Sequence, residues 1–438
     1  MGLTQYKELG ELIGQGSFGG ALVSGLNLDL EVNKVFEDSV DELYYGKVRI
    51  APLLYQDDII RLSTSRDKVQ SGNARIEGVM KSKQLEVHPD KSCFLVVANK
   101  NKMNGIKSEI KENPITYGKD FVLKQKQKEK YLGDFIDEGG NAASVLTTIR
   151  QRKGRVIHSI YEIGAILEDV RLHCIGGLLS GLVIFNMAII PYLLGNSEVW
   201  TEINKEAIEE LETIQTLFLS MLLAVPLTCP RPALAWDTGT LTMENRIAQR
   251  KLNFLVHLKT LKEESLAKQM YEEQVKNSWP GLAEESKDLC KNLLLPSIVK
   301  EREVEYTDKE WKRMIKEAVM LKNGKDLKEK IKTLSKLEGL KKEEFEQKEY
   351  LTEMNIHDAR VNFRIRSKTI KCKMNQSNDK GNKESLWQCK GCGNIDSQAH
   401  IMWCPAFQDL REGKSMDSDS DVVKYFRDVL RIRGELGL

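Results

Sequence analysis

The chain has 438 residues, a formal net charge of +2, 41% hydrophobic and 30% charged residues. That is an ordinary globular balance, with length for about three domains and a buried core. The eight cysteines are too dilute for a disulfide scaffold. They point to a reducing intracellular compartment, nucleus or cytoplasm. The opening MGLTQYKELGEL has no apolar run, so it reads as no signal peptide, and Tyr6 disfavours a myristoyl anchor. Lys and Arg gather in particular stretches, so near-neutrality leaves nucleic acid open as a partner.

In chain order, Gly14 to Gly20 is a glycine-rich turn, followed by a predicted helix from Ser24 to Phe36. Lys47 to Leu54 and Ile59 to Thr64 read as strands joined by polar YQDD, a hairpin with two acids at its tip. Arg66 to Leu85 reads as a helix and Ser92 to Ala98 as an apolar strand. Two short strands follow, ending near KYLGDFI. This order predicts a compact α/β unit with an antiparallel sheet. After Asn141 the pattern is helical almost to Leu351, broken by PLTCPRPALAWDTG and NSWPGL. Ile370 to Trp387 reads as a polar linker, then a Cys/His module, then an amphipathic helix from Val422 to Leu436.

Cys174 to Gly195 carries no charge and is long enough to cross a bilayer. Asn186, Pro191 and four glycines argue instead for a fully buried helix, so no membrane partner is expected.

Three features carry chemistry. Asp57 and Asp58 can offer hard carboxylate oxygens to Mg²⁺ from a hairpin tip held by APLLY and IIRL. Two acids in a turn are also common for turn reasons alone. Cys389-x2-Cys392-x7-His400-x3-Cys404 matches a structural Cys₃His zinc site, with Gly391 and Gly393 permitting the tight turn. Trp387, Trp403 and Phe407 are expected to form that module's small core, with base stacking as the other reading. Finally, Arg150, Arg152, Lys153 and Arg155 form a basic entry to the helical region and can neutralise phosphates. A second basic stretch, Lys368 to Lys373 with Arg360, Arg364 and Arg366, reads equally as a nucleic-acid contact or a solvated face.

Four motifs stand in one order: Gly14-Gln15-Gly16, Tyr55-Gln56-Asp57-Asp58, Pro89-Asp90-Lys91-Ser92 and Tyr131-Leu132-Gly133. In that order the chain resembles reverse transcriptases, most closely those of non-LTR retrotransposons, which often continue through a helical thumb to a Cys-Cys-His-Cys module. The resemblance implies an α+β chain: a partial right-hand polymerase palm over residues 1–140, a helical thumb over 141–235 and a helical connector over 236–370. Linker and zinc knuckle then take 371–412, and a tail helix takes 413–438. It implies RNA-directed DNA synthesis with Mg²⁺, on an RNA template with a DNA primer or on an RNA–DNA hybrid. Asp57 and Asp58 would be catalytic metal ligands. Gly14, Gln15, Gly16 and Tyr55 would shape the nucleotide pocket, and Tyr131, Leu132 and Gly133 the primer grip.

One departure bears on activity. The family's first catalytic acid lies on a strand upstream of the Gly-Gln-Gly turn, whereas the acids before Gly14 here are Glu8 and Glu11, neither in a strand-like run. The expectation is a polymerase fragment inactive alone, with a non-catalytic nucleic-acid-binding remnant as the alternative. A protein-kinase reading of Gly14-Gln15-Gly16-Ser17-Phe18-Gly19 fails. Leu95 stands where a kinase has Asn, Ile136 follows Asp134-Phe135 in place of Gly, and no V-A-I-K strand follows the loop.

Overall fold

The computed structural model describes residues 28–37, 43–55, 58–119, 121–169, 176–296, 306–372 and 388–434. Helices dominate, with a few small two-stranded sheets, so the chain is mixed α+β. It divides into two compact units: Met1–Ser144 with Thr260–Glu284, and Val145–Lys259 with Glu285–Leu438.

The first unit is built from short ladders. β1 (Leu43–Tyr45) pairs antiparallel with β2 (Val48–Ile50), and β3 (Leu53–Tyr55) with β4 (Asp58–Ile60). The expected single strand from Lys47 to Leu54 is therefore split between two hairpins. Pro52, which has no N–H to donate to a ladder, stands between them. Ser65 caps helix Arg66–Ser82 by accepting from the Lys68 N–H. This helix buries Ile76, Val79 and Met80 against Leu28, Val32 and Phe36, with Leu54 and Ile59 of the β3–β4 hairpin packed on the same cluster.

The apolar run from Ser92 pairs only at β5 (Cys93–Phe94), parallel to β8 (Lys124–Gln125). β6 (Thr116–Tyr117) pairs with β7 (Phe121–Val122), and Gln70 fixes β6 by accepting from the Thr116 N–H at 2.9 Å and donating to its hydroxyl at 2.8 Å. β9 (Lys128–Tyr131) and β10 (Asp134–Asp137) form a tight hairpin with Tyr131 opposite Asp134. Its two connecting residues, Leu132 (φ 46°) and Gly133 (φ 91°), both have positive φ, as a type I′ turn requires. Residues 260–284, expected within the connector, belong to this unit. There Tyr45 meets Trp279 edge-on at 4.7 Å, and the Lys47 N–H donates to Glu273 at 3.3 Å.

The second unit is helical around one large core in which the Phe185 and Phe218 rings stack at 4.1 Å. The charge-free stretch forms helix Gly177–Ile184, a π-turn at Phe185–Ile189 and helix Ile190–Leu193. Pro191 cannot donate to the previous turn, and the wider π register absorbs that loss. One face, with Leu178, Leu182, Phe185 and Leu193, is buried, while Val183, Ile184, Met187 and Tyr192 are exposed. The stretch is thus half buried, not fully buried as its composition suggested. Among the described residues, no helix is long and apolar enough to cross a membrane. The segment PLTCPRPALAWDTG is not only a break: it holds helix Arg231–Thr238, with proline in its first turn and Gly239 (φ 63°) at its end.

Helix Ile356–Arg366 serves two cores. Ile356, Ala359 and Phe363 enter the large one, and Val361 joins a second with Ile370, Cys372, Ile401, Val423, Tyr425, Phe426, Val429 and Leu430. Its arginines are structural. Arg360 Nε donates to the Leu222 carbonyl at 2.9 Å and Arg364 Nε to the Ala224 carbonyl at 3.0 Å, at the end of helix Lys205–Leu222. Cations satisfy the orphan carbonyls there and oppose the negative helix end.

Candidate functional site

The C-terminal module gathers its four ligands by local turns. Cys389 and Cys392 flank a tight loop in which the Gly393 N–H donates to the Cys389 carbonyl at 2.9 Å and Gln388 bridges to Ile395. A side chain at Gly391 would meet the Ala406 Cβ at 2.6 Å, and Gly393 has φ 80°, so both positions suit glycine. Ser397 then caps helix Gln398–Trp403 by accepting from the His400 N–H at 3.1 Å. That helix carries His400 inward and ends at Cys404.

The ligand atoms of Cys389, Cys392, His400 and Cys404 lie within 4.8 Å of one another. The Cys389 and Cys404 sulfurs are 3.8 Å apart, Cys392 and Cys404 3.6 Å, and Cys392 Sγ is 3.2 Å from His400 Nε2. A disulfide would need about 2.05 Å. Zn–S bonds of about 2.3 Å and Zn–N bonds of about 2.0 Å in a tetrahedron place sulfurs roughly 3.8 Å from each other and roughly 3.5 Å from nitrogen. The donor set and its spacing therefore fit zinc. The Asn394 backbone N–H lowers the Cys392 thiol, while burial pushes Cys404 up to about 11. A bound cation would draw both to thiolate.

Trp403 is 63% exposed, which corrects its expected place in the module's core. Phe407 does pack on the second core, and Trp387 lies outside the described residues. The sequence reading did not find Asp396 and Arg433, a buried bidentate pair at 2.9 and 2.7 Å beside the ligand loop. No pattern in the sequence pairs Asp396 with Arg433, 37 residues further on.

In the first unit, Tyr55 and Asp58 face each other across the β3–β4 hairpin, and both are exposed. Gln56, Asp57, Gly14, Gln15 and Gly16 lie outside the described residues. Tyr131, at the end of β9, has its phenol pushed up by burial and then by the negative charge of Asp58. So the Tyr-x-Asp-Asp hairpin and the Tyr-Leu-Gly hairpin, far apart in sequence, come within electrostatic reach of each other. Leu132 stands half exposed at the turn.

The basic entry does not act as one surface. Arg152 is buried, donating to the Leu193 carbonyl at 3.2 Å and the Gly195 carbonyl at 2.8 Å, with its guanidinium over the Trp200 ring. It closes the end of the charge-free stretch and faces no solvent, a correction to its expected phosphate contact. Arg150 pairs with Glu206 and Glu210, and Lys153 with Glu210. Arg155 is exposed, with no ion pair to another described residue.

No protein-family model matches this chain, and no curated protein matches it either.

Proposed function

We propose that the chain is the palm-to-knuckle portion of an RNA-directed DNA polymerase of the non-LTR retrotransposon type, carrying a structural zinc. What supports the reading is the order of the four motifs along the chain, together with the raising of the Tyr131 phenol by burial and by the negative charge of Asp58. A polymerase needs its metal-binding carboxylates beside the segment that grips the primer end, and the resemblance implies those roles for these two motifs. Asp57 and Asp58 would ligate Mg²⁺, which activates a 3′-hydroxyl and stabilises the charge on the transferred phosphoryl. Gly14, Gln15, Gly16 and Tyr55 would line the nucleotide pocket, and Leu132 and Gly133 would present the primer-side turn. An RNA–DNA hybrid is the expected partner, with Arg155 the exposed member of the basic entry that forms no ion pair with a described acid, whereas exposed Arg150 pairs with Glu206. Four protein ligands fill the zinc tetrahedron and leave no open position, which supports a structural role.

A non-catalytic nucleic-acid-binding role is the second reading. Iron-mediated cleavage tests the metal site without requiring turnover. Fe²⁺ substituted for Mg²⁺, with ascorbate and peroxide, should cut the chain near residues 53–60 and 128–137. Excess Mg²⁺ or Asp58→Asn should suppress those cuts. Absence of any Mg²⁺-competed cut in these segments contradicts the proposal.

A further inference from the structure

The last helix of the chain, Asp419–Ile432, reaches the Cys₃His loop at three points. Arg433, just past its end, donates from both guanidinium nitrogens to Asp396, whose side chain is 1% exposed and lies between Cys392 and His400 in sequence. Tyr425 donates its hydroxyl to the Ile401 carbonyl at 2.6 Å. Arg411 donates to the carbonyl of the ligand Cys404 at 2.9 Å and is held in turn by Tyr425 at 3.2 Å. The segment from Asp396 to Cys404 is thus held through a carboxylate and two backbone carbonyls, none of them a ligand atom. A planar fork on a buried carboxylate sets orientation as well as distance.

We propose that Arg433 is a positioning residue for the metal centre, acting through Asp396 to hold the Cys392-to-His400 loop in its ligand-ready shape. The inference rests on the zinc reading above. Groups that orient metal ligands without touching the metal typically change affinity by about 10- to 100-fold. The coupling is reciprocal, so bound zinc in turn holds the end of the last helix against the module.

The test is zinc affinity of the full chain, by competition with a chromophoric chelator, together with the thiolate absorption of the Co²⁺-substituted protein. Arg433→Met should weaken zinc by about tenfold or more and perturb the Co²⁺ spectrum. Arg433→Lys, which keeps the charge but not the fork, should fall between it and wild type. Arg427→Met serves as the control: it removes the 2.7 Å pair to Asp358 from the same helix on the side facing helix Ile356–Arg366. It should lower the melting temperature and leave zinc affinity unchanged. The proposal is overturned by an Arg433→Met affinity within about twofold of wild type, or by an Arg427→Met loss as large as that of Arg433→Met. A wild-type chain that takes up no zinc would overturn the zinc reading itself.

Discussion

Arg366 donates to Asp237 through Nε at 2.7 Å and Nη2 at 3.1 Å, and the Asp237 side chain is wholly shielded from solvent. Tyr350 donates its hydroxyl to the same carboxylate at 2.9 Å, and Glu343 accepts from Arg366 at 2.6 Å. The pair ties helix Ile356–Arg366 to helix Arg231–Thr238 inside the second unit. Removing one partner leaves a buried charge unpaired, which costs about 3–5 kcal/mol. Arg366→Met should therefore destabilise strongly in chemical denaturation. Adding Asp237→Leu should recover much of that loss, because the uncompensated carboxylate is gone. Equal instability of the single and double variants would contradict this account.

This use of Arg366 shows how far the sequence could be read. The Arg-rich run from Arg360 to Lys373 looks the same whether its cations face phosphate or carbonyl oxygens, because charge along a helix does not reveal its partners. Arg152 is the sharper case: it stands in a six-residue basic run and yet is spent on the carbonyls of Leu193 and Gly195. The Cys₃His cluster was legible because its ligands lie within sixteen residues of one another and short turns bring them together. The β3–β4 hairpin was legible because two apolar runs flank a short polar connection, whereas the turn at Leu132 and Gly133 was not, because Tyr131-Leu132-Gly133 reads as strand. The approach of Tyr131 to Asp58 was not, since it depends on packing across more than seventy residues.

Substitution in the basic entry separates the two roles. Arg155→Ala should lower affinity for an RNA–DNA hybrid and flatten the salt dependence by about one contact, a slope change of roughly 0.7 to 0.9. Its melting temperature should be unchanged. Arg152→Ala should do the reverse, lowering stability with no defined change in slope. Salt titrations and thermal melts of both variants check this, and unaltered binding by Arg155→Ala would reduce that residue to a solvated cation.

Leu132 occupies a left-handed conformation that costs a non-glycine residue about 1–2 kcal/mol. Leu132→Gly should relieve much of that strain, less the added entropy of the unfolded chain, for a net gain of up to about 1 kcal/mol. If the leucine side chain contacts primer, hybrid binding should weaken in the same variant. A variant less stable than wild type would mean that packing by the leucine side chain outweighs the strain.

Removal of metal should act on the C-terminal module first. Purified protein should contain about one zinc per chain, and Cys392→Ser should lose it. Amide exchange should then rise from Gln388 to Cys404, the span of the four ligands, while the core around Val423, Tyr425 and Val429 keeps its protection. Unchanged zinc content in Cys392→Ser would refute the assignment of these four ligands.

The most direct test of the polymerase reading is to locate the primer end. An RNA–DNA hybrid carrying a photoreactive group at the primer 3′-terminus should crosslink to peptides containing residues 53–60 and 128–137, the two hairpins that hold Asp58 and Tyr131. Asp58→Asn should retain those crosslinks, since it removes charge and not the hairpin. Crosslinks confined to the zinc module or to the basic entry, with none in either hairpin, would contradict the account and leave the chain a nucleic-acid-binding protein without a polymerase site.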